Sequence, residues 1–130
     1  MSPFTQPDRR VADRNVWQSR MKSALQRLTD WYLQQCNGEW EHGFGFHIGT
    51  LDNPGVSVKV ELRETYLESV PFEEKKEEPE SRERWMHCRR SEHNFEGYGA
   101  PGRLEDIIEQ FLCWAEFHRK MPNQPTEPTL

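Results

Sequence analysis

The chain has 130 residues, 34% of them hydrophobic and 30% charged, and its formal net charge is −5. The length suits one domain with a single core. The acidic balance disfavours nucleic-acid binding, which usually needs a basic patch. No apolar run reaches the roughly 18 residues that a transmembrane helix requires, and the N-terminus lacks the apolar region of a secretory signal. We therefore expect a cytoplasmic protein that binds neither nucleic acid nor membrane.

The cysteines favour the same compartment. The sequence has an odd number of cysteines, and no two of them have the C-x-x-C spacing; they are Cys36, Cys88 and Cys113. This usage disfavours a disulfide scaffold and is typical of a reducing environment.

Composition divides the chain into three parts. Residues 1–12 predict a flexible arm, 13–120 a single domain and 121–130 a disordered tail. Within the domain, the charged run at 73–83 predicts a solvated, mobile loop.

The first element is predicted to be a helix over 14–36. Asp13 is a plausible N-cap, and apolar residues then recur at the i, i+4, i+7 spacing of an amphipathic helix. Asn37 and Gly38 tolerate the left-handed conformation that ends helices. A short connection over 39–43 follows.

Two strands and a hairpin are predicted next. In the strand over 44–51, Phe44, Phe46 and Ile48 alternate onto one face. The cluster at 52–55 has turn chemistry. The strand over 56–62 alternates apolar and polar residues, which indicates one buried and one solvated sheet face.

The second half predicts more strands and a second helix. A short strand is expected over 66–72, and two more over 84–90 and 94–99. In the 84–90 strand, Met86 and Cys88 are expected to point inward and Trp85 and His87 outward. An apolar stripe predicts the helix over 103–119.

These elements predict an α+β fold. We expect a two-layer sandwich with an N-terminal helix, a sheet of four or five antiparallel strands and a C-terminal helix, both helices covering one sheet face. The other sheet face is left open.

The candidate functional site lies on this open face and the connection beside it. Tryptophan is a common anchor of protein interfaces, and the patch also contains histidines and carboxylates. Alternatively, the tryptophans cover the edges of the core and the rest is ordinary surface. The candidate partner-binding residues are Trp40, Glu41, His42, His47, Glu61, Trp85 and His87.

Metal binding and catalysis have weaker support. His42, His47, His87, Cys88 and His93 are possible ligands by type, but no pair has the short spacing of a zinc motif. The sequence lacks a P-loop, a dinucleotide fingerprint and a nucleophile elbow. We therefore expect no metal, no cofactor and no enzymatic activity.

Two alternatives remain. One is a small-ligand-binding or hydrolytic domain using Glu41, His42 and His47, since such groups can serve as acid and base. The other is a structural homodimer joined through the open face.

Four segments resemble the immunity protein 53 family of bacterial polymorphic toxin systems. They are DWYLQQCNGEWEH, TLDNPGVSVKVEL, RWMHCRR and FEGYGAPGRLEDIIEQFLCWA, and the resemblance spans about residues 25–117. It implies a cytoplasmic bacterial protein, a monomer or homodimer, that binds and neutralises a cognate toxin without being an enzyme. Two features depart from the family pattern: Val56 stands where an aromatic residue is expected, and the segment before Arg20 is longer than usual.

The expected mechanism is occlusion of the toxin's active site by an acidic and aromatic surface. Trp40 and Trp85 would serve as desolvated anchors. Glu39, Glu41 and Glu61 would pair with basic residues of the toxin.

Overall fold

A computed structural model of the chain describes residues 22–120. The expected arm at 1–12, the Asp13 cap and the tail at 121–130 lie outside this range. No helix in the described part is both long and apolar enough to cross a membrane. The elements in chain order are α1 (Ala24–Gln35), α2 (Trp40–Gly43), β1 (Phe46–Leu51), β2 (Gly55–Glu61), β3 (Lys75–Glu77), β4 (Met86–Arg90), β5 (Asn94–Gly99), a 3-10 turn (Pro101–Arg103) and α3 (Leu104–Lys120).

The five strands form one antiparallel sheet in the order β1-β2-β5-β4-β3. Helices α1 and α3 lie side by side and run in the same direction. Arg27 near the start of α1 is paired with Glu109, and Gln34 near its end accepts a hydrogen bond from Arg119. The predicted α+β fold is confirmed.

The core lies between the helices and one face of the sheet. Alternate positions of the central strands are buried, including Val58, Val60 and Phe95, and Met86 and Cys88 point inward as predicted. The helices contribute Leu28, Trp31, Ile107, Ile108, Phe111, Leu112 and Ala115 to the same cluster. This single cluster leaves the opposite sheet face free of any helix in the described part of the chain.

Helix α1 begins later than the sequence predicted. Ser23 is its N-cap, and its Oγ accepts a hydrogen bond from the Gln26 N–H at 3.1 Å. The Gln26 side chain accepts in return from the Ser23 N–H at 2.9 Å, which completes a capping box. The predicted helix over 14–36 is therefore wrong at Lys22 and Ser23, and its part before residue 22 lies outside the described residues.

The predicted third strand over 66–72 is wrong. Residues 66–69 form turns, which the Arg90 guanidinium holds by donating to the carbonyl oxygens of Leu67, Glu68 and Val70. The third strand is instead Lys75–Glu77, which pairs with β4. The prediction of a loop over 73–83 is therefore wrong for these three residues. The mobility of the rest of the segment stays a prediction.

The first strand is an edge strand and is less buried than expected. Ile48 faces the helix layer opposite Val58, yet it is 39% exposed. No described strand lies outside β1 to cover it. The predicted hairpin between β1 and β2 is confirmed by their register, which pairs Leu51 with Gly55.

Strand β5 and helix α3 are in unusually close contact. A Cβ atom at Gly97 would lie 2.3 Å from Cγ2 of Ile107. The absence of a side chain at this position lets the helix approach the middle of the sheet.

Candidate functional site: the open face of the sheet

The open face is the side of the sheet opposite the helices. The strand register aligns its side chains into rows that cross the strands. One row contains His47, Lys59, Glu96 and Arg89, and the next contains Ser57, Tyr98, His87 and Lys76. Both rows are polar, so the face suits recognition by charge and hydrogen bonding.

Glu96 holds the centre of this face. Its side chain is only 11% exposed, and its Oε1 accepts hydrogen bonds from Arg89 Nη2 at 2.9 Å and Arg89 Nε at 3.1 Å. The Tyr98 hydroxyl lies 3.3 Å from the same oxygen. Burial alone would raise the pKa of Glu96, but hydrogen bonds from Arg89, Ser91 and Tyr98 and the Arg89 charge outweigh it and lower the pKa. Glu96 therefore stays ionised and fixes the Arg89 guanidinium.

The stability that Glu96 contributes should depend on pH. Because its pKa is lower in the folded chain than in the unfolded one, this contribution is present above the ordinary value of 4.5 and is lost as pH falls through the folded pKa. We expect Glu96→Gln to be less stable than the wild type at pH 7 and the gap to narrow in acid. Urea titrations of both proteins between pH 7 and pH 3 measure this gap, and a gap independent of pH would contradict the assignment.

Trp40 is not an exposed anchor, and its assignment to the binding surface was wrong. It is 2% exposed and packs against Trp31, Tyr32 and Phe44, with ring centroids 5.8–6.3 Å apart. Its Nε1 donates to the carbonyl oxygen of Arg63 at 2.9 Å. The turn of helix α2 places the indole in the core.

Glu41 has a structural task in the same turn. Its carboxylate accepts hydrogen bonds from the N–H groups of Asn37 at 3.0 Å and Gly38 at 2.8 Å. Hydrogen bonds from its own N–H, and then from those of Asn37 and Gly38, lower the pKa of Glu41. Asn37 Oδ1 accepts in turn from the N–H groups of Glu39 and Trp40 at 2.9 Å. These hydrogen bonds therefore fix the conformation of the connection over residues 37–41.

Four of the predicted site residues come together at one end of the open face. Glu41, His42, His47 and Glu61 line a depression of about 440 Å³ that also contains Lys59 and Asn94. Glu61 is held by Arg63, whose Nε lies 2.8 Å from Oε2. Because His42, His47 and Lys59 are exposed, the depression is open, unlike the enclosed pockets that bury small ligands.

Trp85 lies at the opposite end of the strands. It is half-buried and lines a separate cavity of about 570 Å³ with Pro54, Pro79 and Arg82. The predicted single patch is thus two concavities joined by the open face.

His87 lies between these ends, in the row with Tyr98 and Lys76. It contacts the carboxylate of Glu74, and hydrogen bonding to His87 lowers the pKa of Glu74. The contact ties the segment before β3 to the open face.

The ion pair between Arg89 and Glu96 was not predicted from the sequence. The two residues are seven positions apart, and the pair becomes visible only when β4 and β5 are paired in register. Alternation of polar and apolar residues identifies a face, but it does not identify which residues meet across strands.

Two observations in the described residues concern metal binding and the Cys88 thiol. Within 22–120, no group of three or more His, Cys, Asp and Glu side chains is placed to hold a metal ion. Burial raises the pKa of the Cys88 thiol to about 12, so this thiol is protonated at neutral pH.

A family model described as immunity protein 53 matches residues 25–116. This range covers most of the chain and includes all five strands. The chain belongs to the immunity protein 53 family. No match was found among curated proteins or among solved structures.

Membership of the immunity protein 53 family indicates a role in neutralising a toxin. The open face and both concavities lie within the matched range. Val56, where the family pattern leads us to expect an aromatic residue, is half-buried opposite Gly99. The smaller side chain therefore lies on the helix side of the sheet and leaves the open face unchanged.

Proposed function

We propose that this immunity protein neutralises its toxin by binding it through the open face of the sheet and covering the toxin's active site. The observation that carries the proposal is a row of charged groups that contains the ion pair between Glu96 and Arg89, with no described helix above it. Groups held in place before binding lose little side-chain entropy when a partner docks.

The size of the face supports a protein partner. The six steps between the seven residues of β2, at about 3.4 Å each, and the four spacings between the five strands, at about 4.8 Å each, give a surface of about 20 Å by 19 Å. This area of roughly 400 Å² is about half of what each partner buries in a standard interface, about 800 Å². The two concavities at its ends would supply the remainder.

The charges of this face call for a partner surface of mixed sign. Lys59 and Arg89 provide cations, while Glu61 and Glu96 provide carboxylates that are already paired with arginines. This differs from the acidic surface that the sequence alone suggested. With Trp40 in the core, Trp85 is the aromatic anchor that remains from that hypothesis.

A binding role fits the local chemistry better than hydrolysis. Glu41 is committed to the N–H groups of Asn37 and Gly38 and has a lowered pKa. A general acid at neutral pH needs a raised pKa instead. We therefore propose that the protein acts as a stoichiometric inhibitor and not as an enzyme, in the cytoplasm of a bacterium.

The test is a charge reversal at the centre of the face. Lys59 lies between His47 and Glu96 in the central row, and a wrong charge desolvated in an interface costs several kcal/mol. We expect Lys59→Glu to weaken binding of the toxin encoded by the neighbouring gene at least about tenfold. Calorimetric titration measures this affinity, and growth of cells co-expressing both proteins measures protection.

The matched control is Lys22→Glu. It makes the same change in net charge at an exposed residue beside α1, on the side of the molecule away from the open face. We expect its affinity to stay within about threefold of the wild type. Equal losses for the two variants would point to a long-range charge effect, and no loss for Lys59→Glu would contradict the proposed surface. A stable dimer that hides the open face would favour the structural homodimer.

A further inference from the structure

The outer edge of strand β1 is available for pairing. His47, Ile48, Gly49 and Thr50 are all exposed, and no strand among residues 22–120 pairs with this edge. The strand is six residues long and contains no Pro, Lys, Arg, Asp or Glu. Edge strands of soluble proteins are usually protected by such residues or by their shortness.

The opposite edge of the sheet shows that protection. Strand β3 has only three residues, and two of them are Lys75 and Lys76. The two edges of one sheet therefore differ, and only β1 has the length and composition of a pairing site.

The ladder shows which backbone groups of β1 are free. The Glu61 N–H donates to the Gly45 carbonyl at 2.9 Å, and extending the β1–β2 register by one residue beyond Phe46 and Val60 places these two residues opposite each other. In an antiparallel pair, bonded and non-bonded positions alternate. His47 and Gly49 therefore bond to β2, while the N–H and C=O groups of Ile48 and Thr50 point to the outer edge.

We propose that an extended segment of the toxin pairs with this edge and adds a sixth strand to the sheet. The inference rests on the proposed function and specifies one part of the toxin-binding surface. Main-chain hydrogen bonds would supply affinity, and alternate side chains would supply specificity.

The side chains flanking β1 define the segment. On the helix side, Ile48 calls for an apolar neighbour that covers its exposed surface. On the open-face side, Gly49 has no side chain, and a Cβ there would approach only Ser57 Oγ, at 3.5 Å. The space left by Gly49, next to His47, suits a larger polar side chain on the added strand. The segment is therefore an extended one in which apolar and polar residues alternate.

A second copy of this chain fits the edge less well. The added strand would cover about 20 Å by 5 Å of surface, roughly 100 Å². A stable dimer buries about 800 Å² per partner, so edge pairing alone is too small to hold one. A toxin that is already bound to the adjacent open face buries most of its interface there, so the small area of the edge is sufficient as an addition.

Thr50→Pro tests the backbone contact. It removes one outward N–H without removing a bond to β2, and proline is tolerated at such edge positions. We expect the full chain with Thr50→Pro to bind the toxin encoded by the neighbouring gene at least about tenfold more weakly. Thr50→Ala, which keeps the N–H, should change the affinity less than about threefold.

Amide hydrogen exchange of the wild type provides a test that no variant can confound by unfolding. In the complex, the amides of Ile48 and Thr50 should gain protection, while those of His47 and Gly49 are protected with or without toxin. A complex that leaves Ile48 and Thr50 unprotected overturns the edge inference and leaves the proposed function intact. Failure to form any complex overturns both. Protection that appears without toxin and rises with protein concentration assigns the edge to a second copy and overturns the inference.

Discussion

Replacing Trp40 by alanine is expected to lower the free energy of unfolding by about 3–5 kcal/mol, the range for a buried aromatic residue. The indole is 2% exposed and is surrounded by Trp31, Tyr32 and Phe44. Its removal leaves a cavity and also leaves the Arg63 carbonyl without its hydrogen bond at 2.9 Å. Urea denaturation at neutral pH measures the loss.

Trp40→Phe is the matched control, because it retains an aromatic ring but not the indole N–H. We expect a smaller loss than for alanine. The decisive comparison is with toxin binding by the folded fraction of each variant. If Trp40→Ala kept the wild-type stability but lost toxin binding, the indole would be an exposed anchor and its assignment to the core would be wrong.

Replacing Gly97 by alanine is expected to cost about 3 kcal/mol, at the upper end of what a single added methyl group usually costs in a packed core. The new Cβ would lie 2.3 Å from Cγ2 of Ile107 and 3.5 Å from Cys88 Sγ. Both neighbours belong to the core, so α3 must move away from the sheet to admit it. Thermal unfolding of the variant measures the cost.

Two further variants isolate the cause. Gly102→Ala is the control, because nothing lies within 4 Å of a Cβ at that position, and it should be nearly neutral. In the double variant Gly97→Ala, Ile107→Ala, the clashing methyl group is absent, so the combined loss should be smaller than the sum of the single losses by at least about 1 kcal/mol. Additive losses would show that the contact with Ile107 is not what excludes a side chain.

Periodic elements with one buried face could be predicted from the sequence. Strand β2 alternates buried and partly exposed residues as expected, and the apolar stripe of α3 contains Ile107, Ile108 and Phe111, all fully buried. In both cases a single side faces the core, and the spacing of apolar residues in the sequence identifies that side.

Elements without such a pattern could not be predicted. Strand β3 lies at the edge of the sheet in a charged run, and two of its three residues are exposed, so its sequence shows no inward face. Trp40 was misplaced because a one-turn helix has no periodicity to show which way its residues point. The start of α1 did have a signal, since Ser23 and Gln26 have the spacing of a capping box.

The candidate site was predicted by residue type but not by arrangement. One depression is lined by Glu41, His42, His47 and Glu61. The carboxylate of Glu41, however, already accepts hydrogen bonds from the backbone of the turn before it. The ion pair between Arg89 and Glu96 depends on strand register, which residue spacing alone does not give.

The decisive measurement for the proposed surface is a crystal structure of the complex with the toxin encoded by the neighbouring gene. We expect the toxin to lie over the open face, with Lys59, Arg89 and Tyr98 buried against it and the helix layer left in solvent. A toxin bound instead to the helix layer, around the exposed Leu33 and Phe117, would contradict the proposal.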